Sequence, residues 1–158
     1  MSRTLHIVSH SHWDREWHQT FQQFRLRLVR LIDLALETLS AGPAFAHFML
    51  DGQTIVLADY AEIRPERAEE LRELIASGRL LIGPWYTPPD EFLVSGEAIV
   101  RNLLQGTRDC VLWGGRMAVG YVPDQFGHAA QMPQILHGFG IETAVLWRGV
   151  DREVAGTK

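Results

Sequence analysis

Short apolar runs alternate along the chain with longer stretches in which apolar residues recur every three or four positions. The runs fall at residues 5–9, 46–50, 80–82, 118–121 and 143–147, and each is nearly continuous in apolar character. Runs of this kind suit strands buried on both faces of a parallel sheet. Between them, residues 19–39 carry Leu28, Leu31, Ile32, Ala35, Leu36 and Leu39, the stripe of a core-facing helix. Pro65 in a first turn and Gly78 after the last periodic residue bracket a second helix over 65–77. Ser95 is placed to cap a third helix running to about residue 112, and residues 129–139, closed by Gly140, form a fourth. The alternation predicts an α/β fold with a largely parallel sheet.

Composition changes this picture little. A length of 158 residues suits one domain, and 46% hydrophobic with 22% charged residues is ordinary for a globular protein. The net charge of −4 gives no electrostatic case for nucleic acid or an anionic membrane. Apolar runs are too short to span a bilayer, and the first residues lack a signal-peptide core, so a cytoplasmic location is expected. The single cysteine, Cys110, lies in a helical apolar pattern and reads as a small core residue.

Chemistry concentrates where the apolar runs end. After the first run comes His10-Ser-His12-Trp-Asp14-Arg-Glu-Trp17. Residues two apart on a strand share a face, so His10, His12 and Asp14 project together from its carboxyl end, where α/β folds hold their sites. An imidazole beside a carboxylate is half of a divalent metal site, although seven histidines make some such pairs by chance. Two indoles and three charges on one loop have no packing rationale, which favours function. After the fourth run comes Pro123-Asp124-Gln-Phe126-Gly-His128, and Arg148 follows the fifth. Taken alone, Asp124 reads as a turn residue satisfying nearby backbone N–H groups, Phe126 and Trp17 as packing, and Arg148 as half of a surface ion pair.

The stretches HSHWDREW, LDGQTIVLADY and GYVPDQFGHAAQMPQIL, in this order and spacing, resemble the N-terminal end of glycoside hydrolase family 38, the α-mannosidases. The variants DGQT, IGPWYT and WDREW look most like its bacterial branch, which includes mannosylglycerate hydrolases. The resemblance implies a zinc-dependent retaining α-mannosidase on a seven-stranded (β/α) barrel-like domain, of which residues 1–158 form the first part. It implies Asp124 as nucleophile and metal contact, and His12 and Asp14 as further ligands of one zinc ion. Trp17, Phe126 and Arg148 match positions that meet the sugar, and Asp90 and Glu91 match an acidic pair on the site's rim. His10 and His128 would orient ligands, and Trp85 and Tyr86 would line an outer wall or simply pack. The general acid and the last zinc ligand would lie beyond residue 158, so this stretch alone would be inactive and would leave a sheet edge open. The partner implied is an α-mannoside carbohydrate, with a homo-oligomer left open. Two other readings stand beside it: a metal-dependent deacetylase or hydrolase on a related barrel, and a carbohydrate-binding remnant without catalysis.

Overall fold

The longest apolar stripe becomes the longest helix. In the computed structural model, which describes residues 3–150, α1 spans Phe21–Ser40 and buries Leu28, Ile32, Leu36 and Leu39. The Gln23 side chain accepts the Thr20 N–H at 3.1 Å, satisfying a donor left free by the first turn. The stretch from Asp151 to Lys158, which reads as an uncapped end, lies outside the described residues.

Two parallel sheets follow. β1 (His10–Ser11), β2 (Phe48–Leu50) and β3 (Leu80–Leu81) pair in that order, with His10 opposite Met49 and Phe48 opposite Leu80. β4 (Gly120–Val122) and β5 (Ala144–Leu146) form the second sheet, with Tyr121 opposite Val145. The helices α2 (Ile55–Ala61), α3 (Ala68–Ala76), α4 (Gly96–Trp113) and α5 (Met132–Gly138) complete the order, with a 3-10 turn at Pro65–Arg67 leading into α3. The α/β class with parallel strands is therefore as the sequence predicts.

The core has two parts. One gathers α1, α2 and α3 residues around Leu50, Leu80 and Ile82. The other packs Trp85, Ile99, Leu103, Val122, Met132 and Leu136. Cys110 belongs to the first, and burial pushes its thiol up to about 12, in keeping with a structural role.

Ser95 caps α4 as expected, its hydroxyl accepting the Ala98 N–H at 3.2 Å. Gly106, inside α4, lets the helix lie directly on the backbone of residues 84–86, because a Cβ there would collide with the Pro84 carbonyl and the Tyr86 nitrogen. Helix propensity alone favours alanine over glycine by about 1 kcal/mol. Here the collision outweighs it, and Gly106→Ala is expected to destabilise by roughly 2 kcal/mol. A thermal midpoint equal to or above wild type would show that the helix can retreat.

Four local expectations are corrected. The apolar run at residues 5–9 predicts a buried strand, but regular pairing starts only at His10, and Leu5, Ile7 and Val8 are exposed. Their register partners would be residues 44–47, which carry no strand. β5 is present but not buried, since all three of its residues are exposed and no element among the described residues covers that face. α5 begins at Met132 instead of residue 129, because the Ala129 N–H is taken by Glu91 Oε2 at 2.6 Å and Pro133 suits a first-turn position. α2 has no counterpart among the expected helices. Its run Ile55-Val56-Leu57 is apolar all round and too short for a 3.6-residue period to show.

Candidate active site

The motifs converge because every parallel strand delivers its following loop to the same edge. β1 ends at Ser11, so His12 and Asp14 leave from the carboxyl end of the first sheet. β4 ends at Val122, which places Asp124 two residues past the second sheet. Donor atoms of His12, Asp14 and Asp124 lie within 4.8 Å of one another. The His12 Nε2 sits 3.4 Å from Asp14 Oδ2 and 3.5 Å from Asp124 Oδ2. Residues 112 positions apart in sequence thus meet at one imidazole nitrogen.

The other imidazole nitrogen has a partner that the sequence motifs do not single out. Asp51 follows β2 and places Oδ1 3.5 Å from His12 Nδ1. It is 2% exposed, and its backbone is left-handed, with φ 38°. Gly52 continues this turn at φ 65°, and a Cβ on it would lie 2.8 Å from the Tyr121 ring. The Asp51 carboxylate also accepts the Trp13 N–H at 2.7 Å and a Gln53 amide hydrogen at 3.0 Å. Burial pushes its carboxyl up from the ordinary range, against the lowering effect of these donors and of His12. The signal available was an Asp-Gly turn after an apolar run, level with His12 in the sheet register.

Arg148 brackets Asp124 from the end of β5. Its Nε donates to the Asp124 carbonyl at 2.9 Å, and its terminal nitrogen pairs with the carboxylate. The same guanidinium lies 4.1 Å from the centroid of the Phe126 ring. His12, Asp14 and Asp124 border an open cleft of about 420 Å³, lined also by Asp90, Phe126, Arg15 and Glu16.

Other expected residues take different places. His10 does not join His12 and Asp14, because its ring meets Tyr121, edge-on at 6.3 Å between centroids and 3.3 Å from the hydroxyl. Trp17 is exposed against His18 and does not line the cleft. Asp90 stands at the rim, but its neighbour Glu91 turns inward and is buried. Trp85 is fully buried and donates its indole N–H to the Tyr121 carbonyl at 2.9 Å, so it packs and lines no wall of the cleft. Gln125, which carries no sequence signal of its own, is buried and donates to the Pro89 carbonyl at 3.0 Å while accepting the Asp124 N–H at 3.1 Å.

One nitrogen ligand and two carboxylates with converging donor atoms fit a divalent cation. Two carboxylates held against one imidazole nitrogen repel each other unless a cation lies between them. A buried carboxylate behind the imidazole fixes the ring so that its other nitrogen faces the cation. An open, partly aromatic cleft beside such a centre suits a small polar ligand.

Similarity to known proteins agrees with this geometry. The chain is 52% identical over 151 residues to a protein of Halalkalibacterium halodurans named "Putative mannosylglycerate hydrolase", covering 95% of this chain and 17% of that protein. It is 31% identical over 141 residues to human "Alpha-mannosidase 2C1", covering 87% of this chain and 13% of that one. The crystal structure of an α-mannosidase from Enterococcus faecalis V583 superposes with a TM-score of 0.86 at 42% identity, over 88% of this chain and 16% of that one. The chain thus spans between about an eighth and a sixth of the length of these relatives. The profile of the glycosyl hydrolases family 38 N-terminal domain matches residues 2–150. With nearly every residue inside that match, the chain belongs to glycosyl hydrolase family 38.

Proposed function

We propose that this chain is the first part of the catalytic domain of a zinc-dependent retaining α-mannosidase. The observation that carries the reading is Asp124, whose carboxylate faces the cleft between the His12 imidazole and the Arg148 guanidinium. In the first step Asp124 attacks the anomeric carbon as the bond to the leaving oxygen breaks and that oxygen takes a proton. In the second, water replaces Asp124 at the same carbon and returns the sugar with its original configuration. Arg148 holds the carboxylate in line through two contacts, and Phe126 offers an aromatic face to the pyranose C–H surface. Asp90, at the cleft rim, is placed to meet sugar hydroxyls, whereas Trp17 would need the remainder of the protein to bring it to the substrate.

His12, Asp14 and Asp124 would hold the zinc ion, together with a ligand from beyond residue 158. When bound, the ion supplies Lewis acidity and a template for the sugar's hydroxyls. The general acid also belongs to the part of the protein beyond this chain. Family membership favours this reading over a deacetylase or a non-catalytic remnant. No described helix is long and apolar enough to cross a membrane. The reading includes an α-mannoside carbohydrate as substrate and the cytoplasmic location expected from the sequence.

The test is hydrolysis of an aryl α-mannoside by the full-length protein, with the released anomer followed by NMR. α-Mannose appearing first supports the retaining mechanism, whereas β-mannose first removes Asp124 from the role of nucleophile.

Asp51 supplies a second check on the metal. Asparagine has nearly the same shape and tolerates a left-handed backbone, so Asp51→Asn preserves the turn while removing the charge behind His12. Metal affinity is expected to fall by about 10–100-fold, measured by competition with a chromogenic chelator. Unchanged affinity would mean that the imidazole needs no such partner.

A further inference from the structure

Arg148 follows β5, the last of the described strands. All three residues of β5 are exposed, Trp147 beyond them is 85% exposed, and β5 pairs only with β4 among the described residues. The aim of the Arg148 guanidinium against Asp124 depends on how its backbone is fixed. Its own carbonyl provides that fixture: His128 Nε2 donates to the Arg148 carbonyl at 2.8 Å. A carbonyl only accepts, so this nitrogen carries the hydrogen. The other ring nitrogen, Nδ1, lies 2.9 Å from Glu91 Oε1, and the second Glu91 oxygen accepts the Ala129 N–H at 2.6 Å. The Glu91 side chain is completely buried and that of His128 is 15% exposed. Gly149 completes the seat: at φ 78°, a Cβ on it would lie 2.6 Å from the Gln125 carbonyl and 2.8 Å from the Gly127 nitrogen. The turn after β5 therefore rests backbone to backbone on the Asp124 loop.

We propose that Glu91 and His128 are positioning residues for the candidate nucleophile, acting through the Arg148 backbone to hold its guanidinium against Asp124. A fully buried carboxylate held by two partners is costly to leave half-satisfied, so each partner constrains the others. The chain of contacts joins the loops after β3, β4 and β5, and every link is a hydrogen bond or ion pair. The catalytic part of this inference rests on the mannosidase reading above, whereas the positioning part does not.

Two readouts separate the parts. Labelling of Arg148 by phenylglyoxal, followed by peptide mass spectrometry in the full-length protein, reports how firmly the guanidinium is held and needs no substrate. Turnover of an aryl α-mannoside reports the chemistry. Glu91→Ala and His128→Ala are expected to speed labelling by about fivefold and to lower kcat about tenfold, with KM changed by less than about threefold. Glu91→Gln should recover most of the loss, since its amide donates to Nδ1 and accepts from Ala129 in the same geometry. If the alanine variants unfold, Glu91→Gln combined with His128→Phe removes the bond to the Arg148 carbonyl without leaving a buried charge unpaired. Wild-type labelling in a folded double variant overturns the proposal, as does a loss confined to KM. A wild-type protein that does not hydrolyse the mannoside would overturn the functional reading alone, with the labelling result still deciding whether Arg148 is held.

Discussion

Asp124→Ala in the full-length protein is expected to abolish α-mannoside hydrolysis, with kcat down by about 10⁴-fold or more, the scale seen when a nucleophile is removed from a working site. The size follows from the convergence of roles at one carboxylate. Asp124 is the group placed to attack, one of three donors around the candidate metal centre, and the partner of Arg148. Its side chain is nearly half exposed, so the fold has little stake in it. The thermal midpoint should hold while activity disappears. Hydrolysis at more than about one per cent of the wild-type rate would sink the nucleophile assignment. Loss of activity accompanied by loss of fold would instead mark Asp124 as structural.

His12→Ala should remove the metal as well as most of the activity. The His12 side chain meets Asp14, Asp124 and Asp51 together, one ring nitrogen serving the first two and the other serving Asp51. Deleting it leaves three carboxylates without the nitrogen that joins them. Affinity should fall by more than about 100-fold, beyond what loss of an outer partner such as Asp51 produces. Elemental analysis after dialysis against a chelator measures this directly. Retention of stoichiometric metal by the variant would place the ion elsewhere. Together the two variants distinguish metal loss from nucleophile loss, because Asp124→Ala keeps two of the three donors.

The readable part of the site is the part written in short local patterns. His12 and Asp14 lie two apart after an apolar run, and Asp124 follows Pro123 after another, so their immediate neighbours suffice to place each at a strand end. Glu91 could not be located this way. Its position beside Asp90 suggests a rim, yet successive residues on a loop are free to face opposite ways, and the buried partners His128 and Ala129 decide its direction. Asp51 is similarly hidden, because its role depends on β1 and β2 being neighbours in register. Residues 5–9 fail in the opposite sense. Their apolar character is plain, but a strand requires hydrogen-bonding partners, and residues 44–47 carry no strand to supply them.

Amino-acid order by itself determined the α/β class, the extent of α1 and α4, and the place of the cap at Ser95, whereas Asp124 joined His12 and Asp14 only through the family resemblance. The class, the helices and the cap depend on periodicity and capping residues, which act over a few residues and are read directly from the chain. Only the tertiary structure decided that Trp17 turns toward His18, that Asp51 stands behind His12, and that Glu91 reaches Arg148 through His128. Those outcomes turn on which strands lie side by side and on which buried polar atoms find partners. Such contacts join residues tens of positions apart, and no local pattern records them.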